Sequence, residues 1–366
     1  VGAAHDVAKP YAGSVAAQLT LTDLPALAAA RVDPDWYGYF AGGAERERTV
    51  RANREAFARW ELRQRVLCGL EEAATEVTVL GRRLAHPVIA APVAYLRMAH
   101  PDGEEGMARA TAATGGAICL STFATAEPAD VAAAAGDGAR YLQVYVFRDR
   151  GVTDELVAEA VDLGFEAVFL TVDLAVIGPR DRERRVHWTF PEESLPAVRR
   201  ALAGRAGGEG LAMLDPTLDW AYLEHLVDTA RVPVVVKGVM EAGDAIRCAD
   251  HGAAGVVVSN HGGRQLDRVP GTIDVLPEIL EAVDGRLEVL VDGGIERGSD
   301  VFTALALGAR AVLAGRQPLW GLAARGWEGA RETLELLREE LRVALHLTGC
   351  ATAADAGPGH LRRGLS

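Results

Sequence analysis

The sequence is poor in cysteine, has no long apolar run and carries no excess of positive charge. Each lack removes a class of function. The four cysteines, at positions 68, 119, 248 and 350, stand far apart with no CxxC pair. That argues against a disulfide-stapled scaffold and against a zinc site, so no metal is expected. No apolar stretch approaches the roughly 18–20 residues that span a bilayer. Lys+Arg number 38 against 51 Asp+Glu, a net charge of −13. A field of that sign repels phosphate backbones and anionic headgroups, so neither nucleic acid nor membrane is an expected partner. Residues 1–10 lack a basic-then-apolar leader layout, and the final RGLS is not a peroxisomal tripeptide. The expected location is the cytoplasm.

What is present is an ordinary globular composition, 49% hydrophobic and 24% charged over 366 residues. Eight short apolar runs punctuate the chain: 86–92 (HPVIAAP), 117–121 (AICLS), 140–146 (RYLQVYV), 167–173 (AVFLTVD), 232–238 (VPVVVKG), 255–261 (GVVVSNH), 287–294 (LEVLVDGG) and 311–316 (AVLAGR). Their apolarity is continuous, not alternating, as in parallel strands buried on both faces. Helical patterns lie between them, at 102–114, 154–163, 242–251 and 298–307. Eight such alternations predict an α/β fold, a (β/α)8 TIM barrel. One domain over 1–366 is expected, with an N-terminal helical extension over 1–85 and the barrel over 86–350. The extension should cover the barrel's bottom or side, with residues 45–60 as a helix and residues 1–18 as a loose tail. A long loop region after the fourth strand, 174–231, should lie on the active face, and its stretch 198–210 (VRRALAGRAGGEG) reads as mobile.

Polar residues gather at the C-terminal ends of the runs, where barrel chemistry is built. They are Gln143 and Tyr145, then Thr171, Asp173 and Arg180, then Lys237. The sixth run continues into SNHGGRQLD at 259–267, the seventh ends in Asp292, Gly293 and Gly294, and the eighth in Gly315 and Arg316. Singly, each reads as a loop-start hydrogen bonder or a tight turn. Gathered at one mouth, they would be costly to bury without use, so they mark a site. The glycines with Arg316 suit a phosphate.

The SNHGGRQLD run resembles the signature of the FMN-dependent 2-hydroxy-acid oxidases and dehydrogenases. The likeness extends to YGYFAGGA at 37–44, MAHPDGE at 98–104, LSTFAT at 120–125, LQVYV at 142–146, LTVD at 170–173, VVKGV at 235–239 and DGGIERGSDVFTALALGA at 292–309. The resemblance implies bound FMN and oxidation of an (S)-2-hydroxy acid to its 2-oxo acid. By that resemblance His261 is the proton acceptor and Asp173 stabilises its imidazolium. Arg264 and Arg180 clamp the substrate carboxylate, and Tyr39 and Tyr145 hydrogen-bond its oxygens. Lys237 stands by the flavin N1–C2 edge, and Pro92, Val93 and Ala94 lie against N5. Ser121, Gln143, Thr171, Ser259 and Asp292 complete the cofactor contacts, with Gly294, Gly315 and Arg316 at the phosphate. Whether a hydride leaves or a carbanion forms stays open.

Three departures matter. Phe123 stands where the family often has Trp, and Glu296 where it has Arg, so a carboxylate would face the phosphate unless it points away. Residues 174–231 match poorly. Phe123 with Tyr95 suggests an aryl or longer aliphatic substrate side chain, as in mandelate. Family oxidases tend to carry Ala where Ala94 stands, which implies O2 as acceptor and H2O2 as product. The family also implies a homotetramer. The competing readings are a dehydrogenase with another acceptor, a phosphate-binding barrel lyase or isomerase with Lys237 as a Schiff-base former, and a non-enzymatic binding or scaffold barrel that holds flavin without turnover, which only Glu296 supports.

Overall fold

The computed structural model describes residues 19–185, 191–205 and 213–364. The expected tail at 1–18, and residues 206–210 of the stretch read as mobile, lie outside the described residues. Eight parallel strands close into a barrel: β4 (Val88–Ala90), β5 (Ala117–Leu120), β6 (Ala139–Val144), β7 (Val168–Thr171), β8 (Val234–Val239), β9 (Gly255–Val258), β10 (Glu288–Asp292) and β11 (Ala311–Ala314). β11 pairs with β4 to complete the ring, so the barrel sheet has no open edge. The outer layer is α4 (Gly103–Thr114), α5 (Pro128–Ala135), α6 (Arg150–Asp162), α9 (Trp220–Thr229), α10 (Ala242–Asp250), α11 (Thr272–Val283), α12 (Gly298–Leu307) and α13 (Arg316–Thr348). This is the (β/α)8 TIM barrel that the apolar runs predict.

The strand period of two explains where the site lies. Ile89, Cys119, Tyr141, Phe169, Val235, Val257, Leu290 and Leu313, one from each strand, fill the barrel interior as a single apolar cluster. Their neighbours Val88, Ile118, Leu142, Leu170 and Val236 pack outward, against the helices. Two residues further along each strand, the inward position turns polar at Ser121, Gln143, Thr171, Lys237, Ser259 and Asp292. The barrel is thus a packed core capped by a polar layer at its C-terminal mouth.

The N-terminal extension does two jobs. The hairpin of β2 (Val77–Val79) and β3 (Arg82–Leu84) pushes Val79 and Leu84 into the interior cluster and closes the bottom, as expected. Against expectation, α2 (Pro34–Ala41) and α3 (Arg48–Ala58) cover the mouth. The Ala44 amide donates to the Gly263 carbonyl at 2.8 Å, and Asn53 and Asn260 exchange side-chain hydrogen bonds of 2.9 and 2.8 Å. Gly263 has to be glycine here: φ is +79°, and a Cβ would sit 2.6 Å from the Val50 nitrogen. The helix expected at 45–60 is shorter than that. Glu45 and Glu47 adopt left-handed φ of 44° and 58°, which keeps them out of α3, and Trp60 begins β1 (Trp60–Leu62). β1 pairs antiparallel with β12 (Leu361–Arg363), a pairing the sequence pattern does not reveal.

The region 174–231 also differs from expectation. It holds α7 (Asp181–Arg185), α8 (Pro196–Leu202) and α9, the last being the barrel's own helix between β7 and β8. Residues 198–202, read as mobile, are helical. Val198 and Ala201 pack with Val152 and Leu156, and Arg200 pairs with Glu127 and Glu159 at 2.9 and 2.8 Å.

Candidate active site

A cavity of about 670 Å³ opens at the barrel mouth. That is an ordinary size for a cofactor with a small substrate. Its floor is the polar layer, its roof comes from α2 and α3, and one wall from residues 174–184.

At one end His261 donates from Nδ1 to Asp173 Oδ1 at 2.9 Å, which leaves Nε2 for the cavity. His261 itself has a left-handed φ of 57°, and its amide donates to Ser259 Oγ at 3.1 Å. Strained backbone of this kind persists only where surroundings hold it. Gly238, at φ +111°, permits the pair, because a Cβ there would lie 2.6 Å from the Asp173 Cβ. Burial lowers the His261 pKa, with Asp173 opposing and Lys237 and Arg180 adding to the fall. Burial acts to raise the Asp173 carboxyl, but His261 and Lys237 outweigh it and the pKa falls. The resting pair is therefore neutral imidazole beside carboxylate, poised to accept a proton.

Around this pair stand Tyr39, Tyr145, Arg180, Arg264 and Phe123. Burial raises both phenols, with Asp173 adding to the rise at Tyr145, so they remain donors. The Arg264 guanidinium lies 4.7 Å from the Tyr39 ring centre and donates to the Tyr39 and Gly42 carbonyls. Phe123 stacks on Tyr145 with ring centres 5.1 Å apart. Leu174 and Ile177 extend this apolar wall.

In the middle, Lys237 is 5% exposed, pairs with Asp292 at 2.7 Å and donates to Ser259 Oγ at 2.9 Å. Burial opposes its charge, but Asp292 and Asp173 outweigh burial and its pKa rises. A lysine engaged in an ion pair with Asp292 is a poor Schiff-base nucleophile, which counts against the lyase reading. Gln143 donates to Thr171 Oγ1 at 2.9 Å, and Ser121, Pro92, Val93 and Ala94 line the opposite side.

At the far end lie Gly293, Gly294, Gly315 and Arg316. Gly315 caps α13, whose first-turn amides have no helical acceptor. Arg316 donates to the carbonyls of Phe40, Gly42 and Gly262. Burial, with Arg264 and Arg54 nearby, pulls its pKa down to about 9. A buried guanidinium at this end of the cavity suits an anionic ligand group.

Two expected contacts do not line the cavity. Tyr95 is fully buried behind the wall, against Trp36 and Tyr39 with ring centres 5.5 and 6.0 Å away. Ser259 is also fully buried and serves Lys237 and His261 from behind. Sequence reading also missed contributors: Asn53 and Arg54 from α3, and Glu183 from α7.

Comparison with known proteins agrees with this geometry. The model of the family "FMN-dependent dehydrogenase" matches residues 28–363. The chain belongs to the FMN-dependent dehydrogenase family. Glycolate oxidase 5 of Oryza sativa subsp. japonica is 40% identical, over 93% of this chain and 95% of its own length. 2-Hydroxyacid oxidase 1 of Homo sapiens is 41% identical, over 86% and 88%. Among solved structures, a lactate oxidase of Pediococcus acidilactici superposes with TM-score 0.90 at 35% identity, covering 95% of this chain and 96% of that one. A mandelate oxidase does so with TM-score 0.86 at 39% identity, covering 95% and 99%.

The residues of this FMN-dependent dehydrogenase fit FMN. Among the described residues Asp292 Oδ1 is buried with no hydrogen-bond partner, an acceptor that a cofactor hydroxyl would satisfy. Arg316, Gly315 and the start of α13 suit one phosphate. Lys237 offers an ammonium to an electron-rich ring edge. Glu296, the unexpected carboxylate, is turned onto Arg54, with Nε and Oε1 2.5 Å apart. Both side chains are well exposed, so the pair is screened and weak. Glu296→Gln removes a negative charge near the phosphate and frees Arg54. FMN should then bind the apoprotein about two- to fivefold tighter by calorimetric titration. Unchanged or weaker binding would show that Glu296 does not act on the phosphate.

Proposed function

We propose that this protein oxidises (S)-2-hydroxy acids with an apolar, mandelate-like side chain to 2-oxo acids, with O2 as acceptor and H2O2 as product. The observation that carries the reading is the placement of the His261–Asp173 pair and two buried guanidiniums around one apolar wall. Bound FMN supplies the two-electron acceptor. Arg264 and Arg180 hold the carboxylate, for which a guanidinium fork is suited. Tyr39 and Tyr145, kept protonated by burial, donate to substrate oxygens. His261 Nε2 takes the proton released on oxidation, and the Asp173 carboxylate offsets the charge that forms on the ring.

Phe123, Leu174 and Ile177 support the side-chain preference. An aromatic ring buried against them gains roughly 1.5–3 kcal/mol, worth about tenfold to a hundredfold in kcat/KM. The size of Phe123 and the loop carry this preference, since Tyr95 stands behind the wall. Ala94, at the cavity, supports the oxygen reading. The test is kcat/KM for glycolate, lactate and (S)-mandelate under air, with peroxide measured. Mandelate should exceed glycolate by about tenfold or more. A preference for glycolate would sink the large-pocket reading, and flavin bleaching without peroxide would sink the oxygen reading.

A further inference from the structure

The arginine pair already holds a carboxylate. Glu183 Oε1 accepts from Arg180 Nη1 at 3.2 Å and from Arg264 Nη2 at 3.3 Å. All three side chains are 14% exposed or less. The other donors are mostly engaged. Arg180 Nε donates to the Arg264 carbonyl at 3.2 Å, and its Nη2 to Gln265 Oε1 at 3.3 Å. Arg264 Nη1 serves the Tyr39 and Gly42 carbonyls. The groups left for a two-arginine grip on a ligand are chiefly those that Glu183 occupies.

We propose that Glu183 is a built-in competitor for the substrate carboxylate, and so a residue that sets affinity and head-group selectivity. This rests on the reading that Arg180 and Arg264 receive that carboxylate. Two buried guanidiniums repel unless an anion lies between them, and each disfavours the charge of the other. Glu183 supplies an anion there. A substrate carboxylate must take over at least one of its two contacts, so part of the attraction between substrate and arginines goes into that exchange. A substrate with a neutral head group has no charge with which to make it.

The segment that carries Glu183 is placed to allow the exchange. α7 is one short, mostly exposed turn. It is tethered at Arg182, which pairs with Glu47 of the N-terminal extension at 2.7 Å, and through the Glu45 amide, which donates to the Pro179 carbonyl at 2.7 Å. Those tethers bear on Arg182 and on the backbone before α7, whereas the Glu183 carboxylate is held by its two ion pairs with the arginines. A lone charge in the run RDRERR otherwise reads as a solvated surface. Its inward reach to two arginines is what distinguishes it.

The experiment uses Glu183→Gln and Glu183→Asp in the FMN-loaded protein. Glutamine keeps an acceptor oxygen for the arginines but loses the competing charge. Aspartate keeps the charge on a stem one methylene shorter. KM for the best hydroxy acid should fall about tenfold in Glu183→Gln, a change of about 1.4 kcal/mol, with the gain in KM rather than kcat. The dissociation constant of 2-phenylpropionate, which has no hydroxyl to oxidise, should fall in parallel by calorimetry. Glu183→Asp should fall between wild type and Glu183→Gln. The corresponding hydroxy amide should show no such gain. An unchanged or higher KM and dissociation constant in Glu183→Gln would overturn the proposal, because Glu183 would then only be positioning the arginines. Failure of the underlying reading looks different: wild type would not prefer acid over amide, whatever the Glu183 variants did.

Discussion

Replacing His261 with alanine is expected to leave FMN bound and to lower turnover by at least about a hundredfold, the usual worth of a positioned general base. Asp292, Gly315 and Arg316 line the cofactor end of the cavity, and the hydrogen bond of the imidazole goes to Asp173 instead. His261 contributes a basic ring nitrogen to the cavity, and the Asp173 carboxylate behind it is 2.9 Å away. Flavin absorbance of the purified variant checks the first half. Anaerobic bleaching by the best hydroxy acid checks the second. Bleaching at nearly the native rate would remove His261 from the mechanism.

The same pair sets a signed pH dependence. The base must be neutral to work, so kcat/KM falls as pH drops through the His261 pKa in the free enzyme. Burial lowers that pKa, so the acid limb should lie below the ordinary histidine value of about 6.5. Asp173 acts the other way, raising it. In Asp173→Asn that support is gone, and the limb should move further down while kcat falls. A limb that moved up would contradict the pairing.

The barrel was legible because its strands are buried on both faces. Continuous apolar runs report such strands without help from context, and the polar residue two places beyond the last interior one, as in Phe169 then Thr171 or Val235 then Lys237, reports the mouth. The site residues that escaped are those whose meaning depends on distant contacts. Asn53 and Arg54 sit in an amphipathic helix with no pattern of their own, and they reach the site only because Gly263 lets α3 close on the mouth. Glu183 is one charge in a run of charges. Tyr95 erred in the opposite direction. Its neighbour Ala94 does line the cavity, but a left-handed φ of 62° turns the tyrosine into the wall beside Trp36. Sequence adjacency to a site does not fix side-chain direction where the backbone leaves the strand.

Arg264→Lys is expected to lower kcat/KM for hydroxy acids by about thirtyfold to a hundredfold, equivalent to roughly 2–3 kcal/mol. The guanidinium does three things that an ammonium cannot do together. Its Nη1 is taken by the carbonyls of Tyr39 and Gly42, its face lies over the Tyr39 ring, and its Nη2 meets Glu183 at the cavity lining, where a substrate carboxylate would take over. A lysine nitrogen placed for the carbonyls would leave the cavity side without a donor. Placed for the cavity, it would leave two carbonyls short of theirs. Either way a carboxylate bound there is left partly unpaired in a desolvated site, and that penalty falls on charged substrates. Arg180→Lys should cost less, because Arg180 donates to one backbone carbonyl, that of Arg264, whereas Arg264 serves two and also lies over the Tyr39 ring. The control is a neutral 2-hydroxy amide, which needs no counter-charge. On that substrate Arg264→Lys should lose no more than about fivefold, the scale of one neutral hydrogen bond. Equal losses on acid and amide would mean that Arg264 holds the Tyr39 segment in place rather than the substrate carboxylate.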